Sequence, residues 1–209
     1  MKRACFFDLD GTLIPNPSSE SRLLKALIKK LFIYPSGLVI WFLESLFKYR
    51  NFKNSKAYYQ GMKLQSLQKF IEKELNNFED AISKQALEHV EQKRKEGYFI
   101  YLITGAPDFI VDAIKTKINF EKVYTSELEV LKGKLTGKLL SIIPYGANKY
   151  KLVQMIAAED NIDLSQSIAY GDSYKDLQFL KSTGLFFAVN PESKLKKLVK
   201  PEKTIIWDK

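Results

Sequence analysis

The 209-residue chain has one cysteine, Cys5, and one histidine, His89. A single cysteine cannot form an internal disulfide, which fits a reducing compartment such as the cytoplasm. A single histidine excludes His-rich metal sites and leaves little room for catalysis by a His base. Any chemistry must therefore come from carboxylates, lysines and hydroxyls. We expect Cys5 to be a small core residue, and His89, in a polar helix, to be exposed to solvent.

Long apolar runs are also scarce. No run in the sequence reaches the roughly 20 apolar residues that a membrane-spanning helix needs. The most apolar stretch, residues 31–47, is interrupted by Pro35-Ser36-Gly37 and contains Glu44. The apolar run at the N-terminus is broken by Asp8, so no signal peptide is predicted. We predict a cytoplasmic protein. A peripheral membrane contact through residues 18–84, which are both apolar and basic, stays open.

The net charge is +9, from 33 basic and 24 acidic residues. Residues 18–84 alone carry 12 basic and 6 acidic side chains. A basic surface can attract an anionic partner, but a solvated, lysine-rich surface explains the same numbers. The charge alone therefore assigns no partner.

Outside residues 18–84, short apolar runs alternate with helical patterns. This alternation is typical of an α/β protein with a doubly wound, Rossmann-like parallel sheet. We predict a core formed by residues 1–17 and 85–209, with residues 18–84 inserted as an all-helical cap. Pro35-Ser36-Gly37 ends the first helix of this region, and a second, nearly all-apolar helix follows to about Tyr49. Further helices are predicted near 55–75 and 79–95. The predicted strands lie near residues 3–8, 98–104, 122–126, 167–172 and 186–190, with a hairpin at 131–140.

Polar side chains follow three of these strands, where each strand ends. Because the carboxyl ends of parallel strands meet at one edge of a sheet, we expect them to lie together. Each motif alone has an ordinary explanation as a loop, a turn, a helix cap or a surface lysine, but their joint occurrence favours a catalytic site. They are Asp8 and Asp10 in FFDLDGTL, Thr104 and Gly105 in LITGAP, and Asp172 and Asp176 in YGDSYKDL, joined by Lys149 at a helix start.

The residue types indicate phosphoryl chemistry. Asp8, Asp10 and Asp172 offer the oxygen ligands that Mg²⁺ takes together with substrate phosphate oxygens. Thr104, with the amides at the start of the next helix, can bind a phosphate, and Lys149 can neutralise charge on a transferring phosphoryl group. One carboxylate could attack phosphorus to form an aspartyl-phosphate while the other serves as general acid and base.

The set FFDLDGTL, LITGAP, NKYKL and YGDSYKDL resembles, in order and spacing, the four motifs of haloacid dehalogenase (HAD) superfamily phosphatases. Further stretches are similar to the phosphoserine-phosphatase-like branch, subclass IB: PSSES, NSKAYYQGM, GKLTGKL and AVNPESKLKKL. The resemblance implies that Asp8 is the nucleophile and that Asp10 protonates the leaving group. It also implies that Thr104, Gly105 and Lys149 hold the phosphoryl oxygens.

The same resemblance implies a Mg²⁺ site and a substrate-selecting cap. The ion would bind Asp8, the main-chain carbonyl of Asp10, and Asp172. Asp176 would support these ligands without binding the ion itself. Residues 18–84 would correspond to the C1 cap of the family, which closes over the site. A phosphorylated substrate follows as the expected partner.

The substrate itself is less defined. Phosphoserine phosphatases carry an acidic residue soon after the first motif and an arginine in the cap, but here the first such carboxylate is Glu20, and Arg22 and Arg50 do not match that context. Apolar cap residues such as Trp41 and Phe42, among lysines, suit a lipid-like phosphate, although they could equally form the core of the cap. We predict a small-molecule or lipid phosphomonoester.

Two alternatives to hydrolysis remain at the level of sequence. One is a catalytically silent, basic binding module for anionic membrane or nucleic acid. The complete set of four motifs argues against it, and no nucleic acid is expected. The other is a phosphotransferase that uses the same residues on an acceptor alcohol.

Overall fold

A computed structural model describes residues 1–30, 56–74 and 82–207, together with Gly37 and Val39. The predicted second apolar helix, with Trp41 and Phe42, lies outside these residues, as does Arg50. The division into a core and a cap therefore stays a prediction. No helix among the described residues combines the length and the apolar character needed to cross a membrane.

Six parallel strands form the central sheet: β1 (Ala4–Phe7), β2 (Phe99–Pro107), β3 (Lys122–Ser126), β6 (Ile168–Gly171), β7 (Leu185–Val189) and β8 (Thr204–Ile205). Two further strands, β4 (Leu128–Leu131) and β5 (Lys134–Leu139), form a separate antiparallel hairpin. The order in the central sheet is β3-β2-β1-β6-β7-β8. Strand order runs away from β1 in both directions, so the sheet is doubly wound, as predicted, and its switch point lies at β1.

The sheet is buried on both faces because successive side chains of β1 enter different clusters. Cys5 and Phe7 pack on one face, where the Phe7 ring stacks on Tyr170 with 4.3 Å between ring centroids. Ala4 and Phe6 pack on the other face. A strand covered on both sides needs a near-continuous apolar sequence, which is what ACFF provides.

Helices flank the sheet and begin at predictable caps. The Ser18 hydroxyl accepts a hydrogen bond from the backbone N–H of Ser21, and Ser83 caps the helix that leads into β2 in the same way. The helices are α1 (Ser19–Lys29), α2 (Leu64–Glu74), α3 (Lys84–Lys95), α4 (Asp108–Asp112), α5 (Ala147–Asp160), α6 (Leu177–Leu180) and α7 (Ser193–Lys196).

The continuous helix predicted near residues 55–75 is wrong. The β4–β5 hairpin docks there, since the N–H of Gly61 donates to the carbonyl of Leu135 and the N–H of Leu135 donates to the carbonyl of Met62, both at 2.9 Å. Gly137 (φ +79°) lies so close that an added Cβ would be 2.9 Å from Cα of Ala57. Residues Ala57–Tyr59 form only a short 3-10 helix, followed by a turn. The contacts with the hairpin hold this segment in place and delay α2 to Leu64.

The expectation that His89 is exposed to solvent is also wrong. Its Nε2 lies 2.9 Å from the hydroxyl of Tyr170, and its ring centroid lies 5.7 Å from that of Trp207. Burial lowers the pKa of His89, with a further contribution from Lys93, so the neutral imidazole is favoured. Cys5 is fully buried, as predicted.

Candidate active site

A cavity of about 770 Å³ opens at the carboxyl ends of β1, β2 and β6. This is the place where doubly wound sheets bind ligands, because the loops diverge at the switch point. The fold brings all seven residues that the motifs singled out to the wall of this cavity: Asp8, Asp10, Thr104, Gly105, Lys149, Asp172 and Asp176.

Lys149 lies between two carboxylates at the base of the cavity. Its Nζ is 2.6 Å from Oδ1 of Asp8 and 2.8 Å from Oδ1 of Asp176, and its side chain is only 3% exposed. Burial lowers the pKa of Lys149, but Asp176 and Asp8 outweigh this and raise it overall, so the ammonium stays charged. A surface lysine, the ordinary explanation of this residue, is excluded.

Three carboxylates cluster beside this lysine. One oxygen each from Asp8, Asp172 and Asp176 lies within 4.8 Å of the other two. Burial, with repulsion from the neighbouring carboxylates, raises the pKa of Asp8 to about 7 and that of Asp172 to about 8. Burial and mutual repulsion disfavour the charged forms of these carboxylates. Mg²⁺ binds hard oxygen donors of this kind and would offset their negative charge. The carboxylate of Asp176 is thus part of this cluster and also contacts the ammonium of Lys149.

Gly11 allows the first loop to approach the carboxylate cluster. Its φ is +84°, a left-handed conformation that favours glycine, and an added Cβ would lie 2.0 Å from Oδ2 of Asp172. The backbone of the first loop therefore touches the carboxylate of the last motif directly.

We expect Gly11→Ala to impair the site rather than the fold as a whole. The methyl group must push Asp172 away from Asp8, so Mg²⁺ affinity should fall by at least about tenfold, the scale of losses when the support of a metal ligand is disturbed. Metal titration of activity measures this shift. Gly133→Ala is the matched control, because Gly133 also has a positive φ (+74°) but has nothing within 4 Å of an added Cβ. An unchanged Mg²⁺ requirement in Gly11→Ala would contradict the expectation.

Asp10 connects the site to α1. Its two carboxylate oxygens accept hydrogen bonds from the N–H of Ser19 at 2.6 Å and from the Ser19 hydroxyl at 3.1 Å. Burial raises the pKa of Asp10 although these hydrogen bonds lower it. A raised pKa makes proton uptake by a carboxylate easier, which suits a group that exchanges a proton with a leaving group.

Thr104 lies within β2 rather than after it. The strand continues to Pro107, where pairing with Ser126 resumes after a bulge, and the Ser126 hydroxyl donates to the carbonyl of Gly105 at 2.8 Å. The predicted end of this strand at residue 104 is therefore wrong. The Thr104 hydroxyl accepts from the N–H of Ala106 at 3.1 Å, so it retains its own proton for a substrate oxygen.

The sequence interpretation missed a buried polar cluster across the cavity. Nζ of Lys56 lies 2.5 Å from Oε2 of Glu20, and the hydroxyl of Tyr58 donates to the other oxygen of that carboxylate. Lys56 is only 5% exposed. Phosphoserine phosphatases are expected to carry an arginine in the cap, whereas the basic residue beside Glu20 here is Lys56, within the NSKAYYQGM stretch that is part of the resemblance.

The switch point of this doubly wound sheet brings together clustered aspartates and a buried lysine, which are the groups that phosphoryl-transfer sites use. Residues 5–181 match a family model described as haloacid dehalogenase-like hydrolase. The chain belongs to this family, which confirms the resemblance drawn from the four motifs. The predicted enzyme class is confirmed with it.

Relatives and solved structures agree with this assignment. Phosphoserine phosphatase SerB1 of Mycobacterium tuberculosis is 24% identical over an alignment 208 residues long, and the match covers 94% of this chain and 68% of that protein. A crystal structure of apo phosphoserine phosphatase (TM-score 0.71, 21% identity) covers 99% of this chain and 92% of its own. A phospho-aspartyl intermediate analogue of phosphoserine phosphatase (TM-score 0.63, 22% identity) covers 98% and 92% respectively. The chain is phosphoserine-phosphatase-like in sequence and in fold.

Proposed function

We propose that this protein is a Mg²⁺-dependent phosphatase that hydrolyses a small-molecule or lipid phosphomonoester through an aspartyl-phosphate on Asp8. The observation that carries the proposal is the buried ammonium of Lys149, held 2.6 Å from Asp8 and 2.8 Å from Asp176 beside Asp172. This arrangement orients one carboxylate oxygen of Asp8, and the nearby ammonium opposes the rise in the pKa of Asp8 that burial causes. The same ammonium offers positive charge to a phosphoryl group.

Two displacements at phosphorus account for the reaction. A carboxylate oxygen of Asp8 attacks phosphorus, the ester P–O bond breaks, and Asp10 gives its proton to the leaving oxygen. Asp10, now a carboxylate, then takes a proton from water as that water attacks the phospho-Asp8 group. The acyl-phosphate bond breaks at phosphorus, inorganic phosphate leaves, and both aspartates return to their starting states.

The phosphoryl oxygens need donors throughout these steps. Lys149 and the hydroxyl of Thr104 supply them, together with the backbone around Gly105. Asp8, Asp172 and the carbonyl of Asp10 would hold Mg²⁺, with Asp176 close by, and the ion would offset charge on the phosphoryl oxygens. The solved phospho-aspartyl intermediate analogue of phosphoserine phosphatase, which shares this fold, supports the proposed aspartyl-phosphate step.

The polar cluster across the cavity bears on the leaving group. Glu20 and Lys56 neutralise each other, and the Glu20 carboxylate also accepts from Tyr58. A carboxylate already bound in this way is a poor partner for the ammonium of serine. The cluster therefore supports a substrate other than phosphoserine, although relatives carry that name.

Phosphate release from a panel of phosphomonoesters, with Mg²⁺ and with chelator, tests the proposal. The panel includes phosphoserine, sugar phosphates, nucleotides and lipid phosphates. We expect release that stops with chelator and returns when Mg²⁺ is added. Release that persists in chelator, or no release from any compound by the folded protein, would refute the proposal.

A further inference from the structure

Lys175 lies at the mouth of the cavity and, unlike Lys56 and Lys149, has no role in the site described above. It lies three residues after Asp172, in a short turn whose start is fixed by a reciprocal cap. The N–H of Ser173 donates to Oδ2 of Asp176 at 3.3 Å, and the N–H of Lys175 donates to the Ser173 hydroxyl at 3.2 Å. The backbone of Lys175 is thus tied to the carboxylate cluster.

The side chain of Lys175 reaches toward the loop that precedes α5. Its Nζ donates to the hydroxyl of Tyr145 and lies 4.6 Å from the centroid of that ring. Tyr145 in turn lies beside β2, since a Cβ on Gly105 would be 3.9 Å from Cδ2 of Tyr145. The ammonium is therefore held over the cavity rather than directed away from it.

The three lysines of the cavity differ in their partners. Lys149 lies between two carboxylates and Lys56 pairs with Glu20. Lys175 has no carboxylate within 4.0 Å in the described part of the chain. Glu192, at the same rim, accepts instead from the N–H of Tyr174 at 2.7 Å. Two N–H donors of Lys175 remain for an anion, and its neutral phenol partner does not cancel its charge.

The position of Lys175 indicates which part of a substrate it meets. Lys149, which serves the transferred phosphoryl group, is buried at the base of the cavity, whereas Lys175 is exposed at the mouth. A group at the mouth belongs to the alcohol that leaves. We propose that Lys175 and Tyr145 form a subsite for a second anionic group, a carboxylate or a phosphate, on the leaving alcohol. This inference rests on the proposed phosphatase function and narrows its substrate class.

The test compares substrates that differ only in this group. Glycerol 3-phosphate releases a neutral alcohol, 3-phosphoglycerate releases an alcohol with a carboxylate, and glycerol 1,3-bisphosphate releases one with a phosphate. We expect kcat/KM to favour at least one anionic compound by about tenfold, the scale of one charge-assisted hydrogen bond. Comparison of the last two compounds identifies the anion.

Variants then assign the preference to Lys175. Lys175→Met should bring the ratio of anionic to neutral substrate close to one, mainly through KM of the anionic compound, and Lys175→Arg should retain most of it. Tyr145→Phe should lower the ratio in part. Lys181→Met, on an exposed lysine that does not line the cavity, is the matched control and should keep the wild-type ratio.

Each remaining outcome is decisive. If Lys175 contacts the transferred phosphoryl group, Lys175→Met slows all substrates equally, the ratio stays at its wild-type value, and the subsite is refuted while the phosphatase stands. A wild-type ratio near one also refutes the subsite alone. If no compound is turned over, calorimetric binding of the same three compounds to Asp8→Asn gives the ratio, and equal or absent binding overturns the subsite. Absence of release from every phosphomonoester refutes the proposed function instead.

Discussion

Asp8→Asn should lower phosphate release by roughly 10⁴-fold or more, the scale seen when a nucleophile is removed. An amide oxygen is a poor nucleophile toward phosphorus, and the variant also loses the negative charge that Lys149 contacts at 2.6 Å. The fold should persist, because asparagine has nearly the same shape and Lys149 keeps its second partner, Asp176, at 2.8 Å. Single-turnover assays together with thermal unfolding measure both effects.

The matched control for this substitution is Asp112→Asn. Asp112 is an exposed aspartate whose ion pair with Lys115 is at the surface, with both side chains more than half exposed. This variant should have wild-type turnover and stability. Activity of Asp8→Asn comparable to that of the control would show that another residue carries the phosphoryl group.

Lys149→Met should combine a loss of activity with a loss of stability. The rate should fall by about 10²–10³-fold, the range for removal of one donor that stabilises transition-state charge. Asp8 and Asp176 would also be left buried beside each other without the ammonium, which typically costs about 3–5 kcal/mol. Chemical unfolding in chelator measures this cost, and added Mg²⁺ should recover part of it.

Two further variants show whether repulsion between the carboxylates is the cause. In Lys149→Met/Asp176→Asn one of the two carboxylates is neutral, so the double variant should be more stable than Lys149→Met alone. Lys151→Met, on the exposed side of the same helix, should be indistinguishable from wild type. A double variant no more stable than Lys149→Met would contradict the electrostatic explanation.

Two predictions, the helix near residues 55–75 and the solvent exposure of His89, were wrong for the same physical reason. In both cases contacts with residues distant in the chain override the local preference. Residues 55–75 have a helical pattern, yet the hairpin at Leu135 binds the backbone around Gly61 and delays the helix to Leu64. The pattern around His89 is polar, yet its ring packs against Tyr170, 81 residues away. Single-sequence patterns carry no information on such partners.

Three of the four motifs could be placed correctly from the sequence, because each lies at or next to the carboxyl end of a buried strand. Strand burial shows in consecutive apolar residues such as those of ACFF, and parallel strands carry their loops to one edge. Asp8, Thr104 and Asp172 could therefore be placed together without coordinates. The sheet order and the family match agree with that placement.

The sequence by itself determined the α/β class, the doubly wound sheet and the set of residues at its switch point, since these depend on local apolar runs and on motif spacing. Only the tertiary structure decided how charges are paired across the cavity. It joins Lys56 to Glu20, buries Lys149 between two aspartates, and leaves Lys175 beside a phenol. Ion pairing depends on distances of a few ångströms between side chains from different elements, and spacing along the chain does not specify these distances.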